Sequence, residues 1–197
     1  MSMLDTLLGL ARLTLKDPRN GARAVLNLGI PLRARTAGLM LVAVGSALFT
    51  HLGLLMMPAT DDPAIIYMTA SPFRTAVLQW VVLACSVALI TRVGRARGGT
   101  GNFADSLLIV VWLQVLMLGV QIVQLLALIL VPPLAGLVNI AGLVLFFWLM
   151  THFIAELHGF TSLGKVLAGI LITMVASAFV LVIILALVLG PEALTNV

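Results

Sequence analysis

The sequence predicts an all-α protein: a polytopic membrane bundle of five transmembrane helices, preceded by an amphipathic N-terminal helix on the cytoplasmic surface. Three observations carry this. Hydrophobic residues make up 62% of the 197 and charged residues only 9%, whereas a soluble domain carries about 25% charged residues. Five apolar stretches reach the roughly 20 residues that cross about 30 Å of hydrocarbon. The stretches are continuous, without the alternation of an outer-membrane barrel, so helices must satisfy their backbone amides. The composition argues against a cytosolic enzyme or a secreted module.

The first 35 residues come before any span. Leu4, Leu7, Leu8, Ala11 and Leu15 follow helical spacing, with Asp5, Arg12, Lys16 and Arg19 on the other side, the pattern of a helix lying in the membrane surface. Asp17-Pro18 then offers an N-cap followed by a proline suited to the first helical position. A second short helix is expected to about Leu28, stopped by Gly29 and Pro31. The spans are expected at about 37–57, 73–90, 107–131, 134–154 and 166–189, within a membrane domain of residues 36–190, with an outside tail at 191–197. Breakers separate them: Pro58, Asp61, Asp62, Pro63 and Pro72; the basic, glycine-rich turn from Arg92 to Asn102; Pro132-Pro133; and the turn from His158 to Gly164.

Orientation follows from the basic residues. Arg12, Lys16, Arg19, Arg23, Arg33, Arg35, Arg92, Arg95, Arg97 and Lys165 fall on one side and only Arg74 on the other. This places the N-terminus in the cytoplasm and, after five spans, the C-terminus outside, with Asp61, Asp62 and Glu192 facing outward. The net charge of +4 then reads as orientation and contact with anionic lipid, not as nucleic-acid binding. Nine arginines against two lysines, with abundant Ala, Leu and Gly, suggest a GC-rich bacterial genome. Cys85 stands alone, which excludes an internal disulfide.

Polar groups inside spans are costly and are the usual place to look for function. Gln114, Gln121 and Gln124 share one face of the third span, with Asn139 in the fourth and Gln79 in the second. Glue between helices is the plainer reading; a polar groove or pathway is the alternative. Gly169, Thr173 and Ser177, four apart, form a small-residue packing seam. His152, Glu156 and His158 are weak candidates for a metal, since their spacing matches no strong motif; interfacial roles, with Glu156 facing Lys165, are the plainer expectation. Asn102 caps the third span and Asp105 sits in its first turn, within reach of Arg95 or Arg97. Trp80, Trp112 and Trp148 are expected to pack.

Leu15-Lys16-Asp17-Pro18-Arg19, Gly98-Gly99 followed by Phe103-Ala104-Asp105-Ser106-Leu107 and Trp112-Leu113-Gln114, and Phe160-Thr161-Ser162-Leu163-Gly164-Lys165-Val166-Leu167 together resemble the bacterial branch of the YIP family, the five-span Ypt/Rab-interacting proteins. The resemblance covers nearly the whole chain. It implies a compact bundle with a cytoplasmic N-terminus. Its eukaryotic members are membrane adaptors that associate with Rab GTPases. This sequence departs from them, without their long cytoplasmic N-terminal domain or their Asp-Leu-Tyr-Gly-Pro motif; bacteria generally lack that vesicle machinery, so the Rab partner is not expected to carry over, and no catalytic residue or cofactor comes with the resemblance. The expectation is therefore a non-enzymatic bacterial inner-membrane adaptor, assembly or membrane-organising factor. Its docking face would be Asp17, Pro18, Arg19, Gly98, Gly99, Phe103 and Asp105, and its partner a membrane protein or a second copy. The alternative is a small transporter, channel or lipid-handling protein using Gln114, Gln121, Gln124 and Asn139.

Overall fold

A computed structural model describes residues 3–56, 66 and 70–189. Asp61, Asp62 and Glu192 lie outside these residues. The described chain is helical, in the order α1 (Met3–Lys16), α2 (Pro18–Leu26), α3 (Leu32–Leu55), α4 (Pro72–Ala96), α5 (Phe103–Leu130), α6 (Pro132–His158) and α7 (Leu163–Leu189). Five of them, α3 to α7, are long and apolar enough to cross a membrane, as the all-α bundle requires.

The helices overrun the expected apolar stretches, mostly at the end where the basic residues gather. Helix α3 starts at Leu32 instead of Ala37, α4 runs to Ala96 instead of Ile90, and α6 ends at His158 instead of Ile154. Arginine and glutamate are good helix formers, so Arg33, Arg35, Arg92, Arg95 and Glu156 let each helix continue past the hydrocarbon. Helix α2 stops at Leu26, two residues short of expectation. Asp17 does cap it, accepting from Asn20 N–H at 3.1 Å, with Pro18 in its first turn. Helix α6 closes on Gly159 at φ 73°, a left-handed conformation that glycine adopts without steric cost.

Helix α5 is the hub, with α3, α4 and α6 all packed on it. Helices α3 and α5 run parallel and close: a side chain at Gly38 would meet Val111, and one at Gly45 would meet Leu118. The core is concentrated at the basic end. There, Leu107 to Val110, Trp112 and Leu113 of α5 are buried against Leu149, Phe153 and Ile154 of α6 and Leu83, Val87 and Ile90 of α4. Toward the opposite end the bundle opens, leaving Val123, Leu126 and Leu130 of α5 and Leu137 and Ile140 of α6 exposed. In a bilayer these meet lipid. Helix α7 packs chiefly on α6 and buries Val166 and Ile170 in the core; of the expected seam, Gly169 is buried against the Arg97 guanidinium that follows α4, and Thr173 and Ser177 are half-buried.

Candidate functional site

At the basic end three segments far apart in sequence are bolted together. Thr14, at the last turn of α1, is fully buried. Trp112 Nε1 donates to its hydroxyl at 3.1 Å, and the hydroxyl donates to Leu10 O at 2.7 Å. Gly21 of α2 lies so close to Thr14 that any side chain there would overlap it. Helix α1 therefore docks through Thr14, with Leu10 and Ala11 half-buried against the core, while Leu4, Leu7, Leu8 and Leu15 stay exposed. Trp112 thus packs as expected, whereas Trp80 and Trp148 are more than a third exposed.

Helix α2 buries Pro18, Gly21, Ala22 and Val25 against α6 and α5. Its other face reaches the turn after α6. Arg19 Nη2 donates to Phe160 O at 2.7 Å, and Arg23 pairs with Glu156 at 2.8 Å. Glu156 therefore faces Arg23, not Lys165. Arg35, at the start of α3, fastens α5: it donates to Ile30 O and Ala104 O, both at 2.7 Å, and to Asp105 Oδ1 at 2.8 Å. Asp105 is thus held by Arg35 in place of Arg95 or Arg97. Its backbone N–H donates to the Asn102 cap at 2.9 Å. Beneath it, Thr91 of α4 and Ser106 of α5 are hydrogen bonded at 2.8 Å.

His158 is the centre of this layer and is 2% exposed. Gly101 N–H donates to its Nδ1 at 3.1 Å, so Nδ1 is unprotonated and Nε2 carries the proton toward Ile90 O at 3.1 Å. The ring is therefore neutral. Its faces are enclosed by glycines: a β-carbon at Gly94, Gly99 or Gly101 would collide with the imidazole. Phe160 stacks on it at 5.5 Å, and Thr100 N–H donates to the His158 carbonyl at 3.3 Å. Gly98, at φ 84°, makes the turn that wraps this glycine loop around the ring.

Of the expected docking residues, Asp17 is a cap, Pro18 is buried, Arg19 holds Phe160, Gly99 encloses His158 and Asp105 holds Arg35. Phe103 is exposed. The role of His158 was not visible in the sequence; glycines at 94, 99 and 101 were the one trace of a bulky neighbour. His152, Glu156 and His158 do not converge: His152 Nδ1 bonds Trp148 O within its own helix at 2.7 Å, and the other two face Arg23 and the glycine loop. Among the described residues no group of three or more metal-ligating side chains occurs.

The amide residues, in contrast, do come together. Gln114, Gln121, Gln124 and Asn139 line one open cleft of about 230 Å³ between α5 and α6, with Met117, Gly142 and Phe146 among its walls. Gln121 Oε1 is buried with no hydrogen-bond partner among the described residues. A second, apolar groove of about 480 Å³ runs along the other side of the same helix pair, from Leu15 to Val123 and Leu145.

Five helices able to cross a membrane, with α3, α4 and α6 packed on α5 and α7 on α6, and an N-terminal segment locked to one end, define a multi-pass integral membrane protein. The chain belongs to the Yip1 domain family, whose model matches residues 12–186. That match takes in all three interlocking segments. No curated protein and no solved structure matches the chain.

Proposed function

We propose that this protein is a non-enzymatic adaptor, assembly or membrane-organising factor of a bacterial inner membrane, with its N-terminus in the cytoplasm and its C-terminus in the periplasm. The observation that carries the reading is the rigid platform built by Thr14–Trp112, Arg19–Phe160 and Arg35–Asp105. It holds α1 against the bundle with Leu4, Leu7, Leu8 and Leu15 outward, beside exposed Arg92, Arg95, Arg97, Lys165 and Phe103. Apolar residues at a basic surface match the boundary of an anionic leaflet. They leave Phe103 positioned for a membrane-protein partner or a second copy. A photocrosslinking amino acid at Phe103, in native membranes, is expected to give a discrete protein adduct. Adducts with lipid alone would overturn the adaptor reading.

A second reading is favoured by the amide-lined cleft: a small transporter, channel or lipid-handling protein. Glutamines acting as glue between helices would bond across the interface; here Gln114, Gln121, Gln124 and Asn139 face a shared void. Solute flux in liposomes that survives replacement of all three glutamines by leucine would reject a pathway along this face.

A further inference from the structure

Arg97 caps the end of α4, and its guanidinium reaches across to α7 at Gly169. Apart from α7's own neighbouring residues, the only atoms within 4 Å of a β-carbon at Gly169 would be Arg97 Nη1 and Cζ, at 2.9 and 3.6 Å. The missing side chain thus makes the room that the guanidinium fills. Lys165 stands one turn earlier on the same face of α7, with roughly 5–6 Å between such β-carbon positions. A helical side chain covers the turn before its own Cα, so the ground Arg97 takes at Gly169 borders Lys165. Neither cation has an ion pair or hydrogen bond among the described residues. The nearby carboxylates are already engaged: Glu156 with Arg23, Asp105 with Arg35, and Asp17 as the cap of α2. Exposed Arg92 and Arg95 add to the positive field. Two like charges side by side repel, and a guanidinium beside hydrocarbon without an acceptor is costly. A phosphate between them removes both costs with charge-assisted hydrogen bonds.

The surroundings select a lipid as the source of that phosphate. Gly169 lies six residues into α7, about 9 Å along the axis, and α7 is long and apolar enough to cross a membrane. Deeper along the same face Ile172 is exposed, as is Leu89 on α4, eight residues before Arg97. An anion held here has apolar surface beneath it, where a phospholipid carries its acyl chains. We propose that Arg97 and Lys165 bind the phosphate of an anionic glycerophospholipid, such as phosphatidylglycerol, whose chains run past Ile172 and Leu89. A zwitterionic lipid carries its own cation beside the phosphate and gains less. The site rests on the proposed position of the basic end at the membrane boundary; it does not depend on the adaptor role.

The test uses the full chain in phosphatidylcholine nanodiscs containing a trace of phosphatidylglycerol with a photoactivatable acyl chain, and adducts are mapped by mass spectrometry. Adducts are expected on α4 and α7 around Leu89 and Ile172. Arg97→Gln should weaken this capture about tenfold and Lys165→Gln about fivefold. Arg33→Gln removes the same charge from an exposed position at the start of α3 and should leave it unchanged. Gly169→Leu keeps every charge and introduces a good helix former; by taking the ground of the guanidinium it should weaken capture as well. Equal losses from Arg97→Gln and Arg33→Gln, or full capture by Gly169→Leu, would reduce the effect to general surface charge and overturn the site. Displacement of the lipid by inorganic phosphate, or equal competition by phosphatidylethanolamine, would overturn the anionic lipid as its occupant. Capture lost with Arg97, together with adducts to lipid alone at Phe103, would support the site while removing the adaptor reading.

Discussion

Replacing Gly94 by alanine separates packing from helix propensity, because the two predict opposite signs. Gly94 lies within α4, where glycine to alanine should stabilise by about 0.8–1 kcal/mol through propensity alone. The tertiary contact opposes this: the new β-carbon would overlap the His158 imidazole. That ring cannot readily yield. It is held at both nitrogens by Gly101 and Ile90, stacked on Phe160, and enclosed by Gly99. Overpacking of this kind costs about 1–3 kcal/mol, and each hydrogen bond lost as the ring is pushed aside about 1 kcal/mol more. The expected net effect is a destabilisation of about 1–3 kcal/mol. His158→Ala alone should also destabilise, since it leaves Gly101 N–H unpaired and a void behind. The double variant should be less damaged than the sum of the two, with a coupling of at least about 1 kcal/mol. Denaturant unfolding of the four proteins in detergent micelles, followed by circular dichroism, measures all the terms. A stabilised Gly94→Ala protein, or strict additivity, would refute the glycine enclosure of His158.

Other predictions follow from the same layer. Trp112→Phe keeps most of the ring but removes the donor to Thr14; it should cost about 1 kcal/mol and speed amide exchange in α1 relative to α5, measured by mass spectrometry. Arg35→Ala should cost about 2–3 kcal/mol, because Arg35 is 11% exposed and serves three acceptors. Arg23→Ala should cost less than about 1 kcal/mol, because its side chain is 60% exposed; unfolding midpoints for the two variants check this order, and equal losses would contradict it. A phosphatase fused at the C-terminus should be active in cells and a cytoplasmic reporter there inactive; the reverse would contradict the proposed orientation.

The span count was legible because the membrane imposes its own arithmetic: apolar length and the positions of a few charges need no tertiary information. The caps at Asp17 and Asn102 were legible for a similar reason, since each depends on residues three positions away. Partners across the bundle were not. Glu156 faces Arg23, 133 residues away, and Asp105 faces Arg35, 70 residues away, although Lys165 and Arg97 are nearer in sequence. The packing of α2 on α6 and of α3 beside α5 selects those pairs.

By itself the sequence determined that this is a five-span helical membrane protein, which end carries the positive charge, and that five amides, Gln79, Gln114, Gln121, Gln124 and Asn139, would have to lie within the hydrocarbon. Local pattern suffices for each of these, because the cost of exposing backbone or charge to lipid acts residue by residue. Only the tertiary structure decided that His158 is the buried centre of the basic end. Only it showed that α1 is anchored by Thr14, and that the amides of α5 and α6 surround a cleft instead of bonding one another. Those outcomes depend on how closely helices approach: where three glycines converge there is room for an imidazole ring, and where α5 and α6 part around Gln121 a void remains.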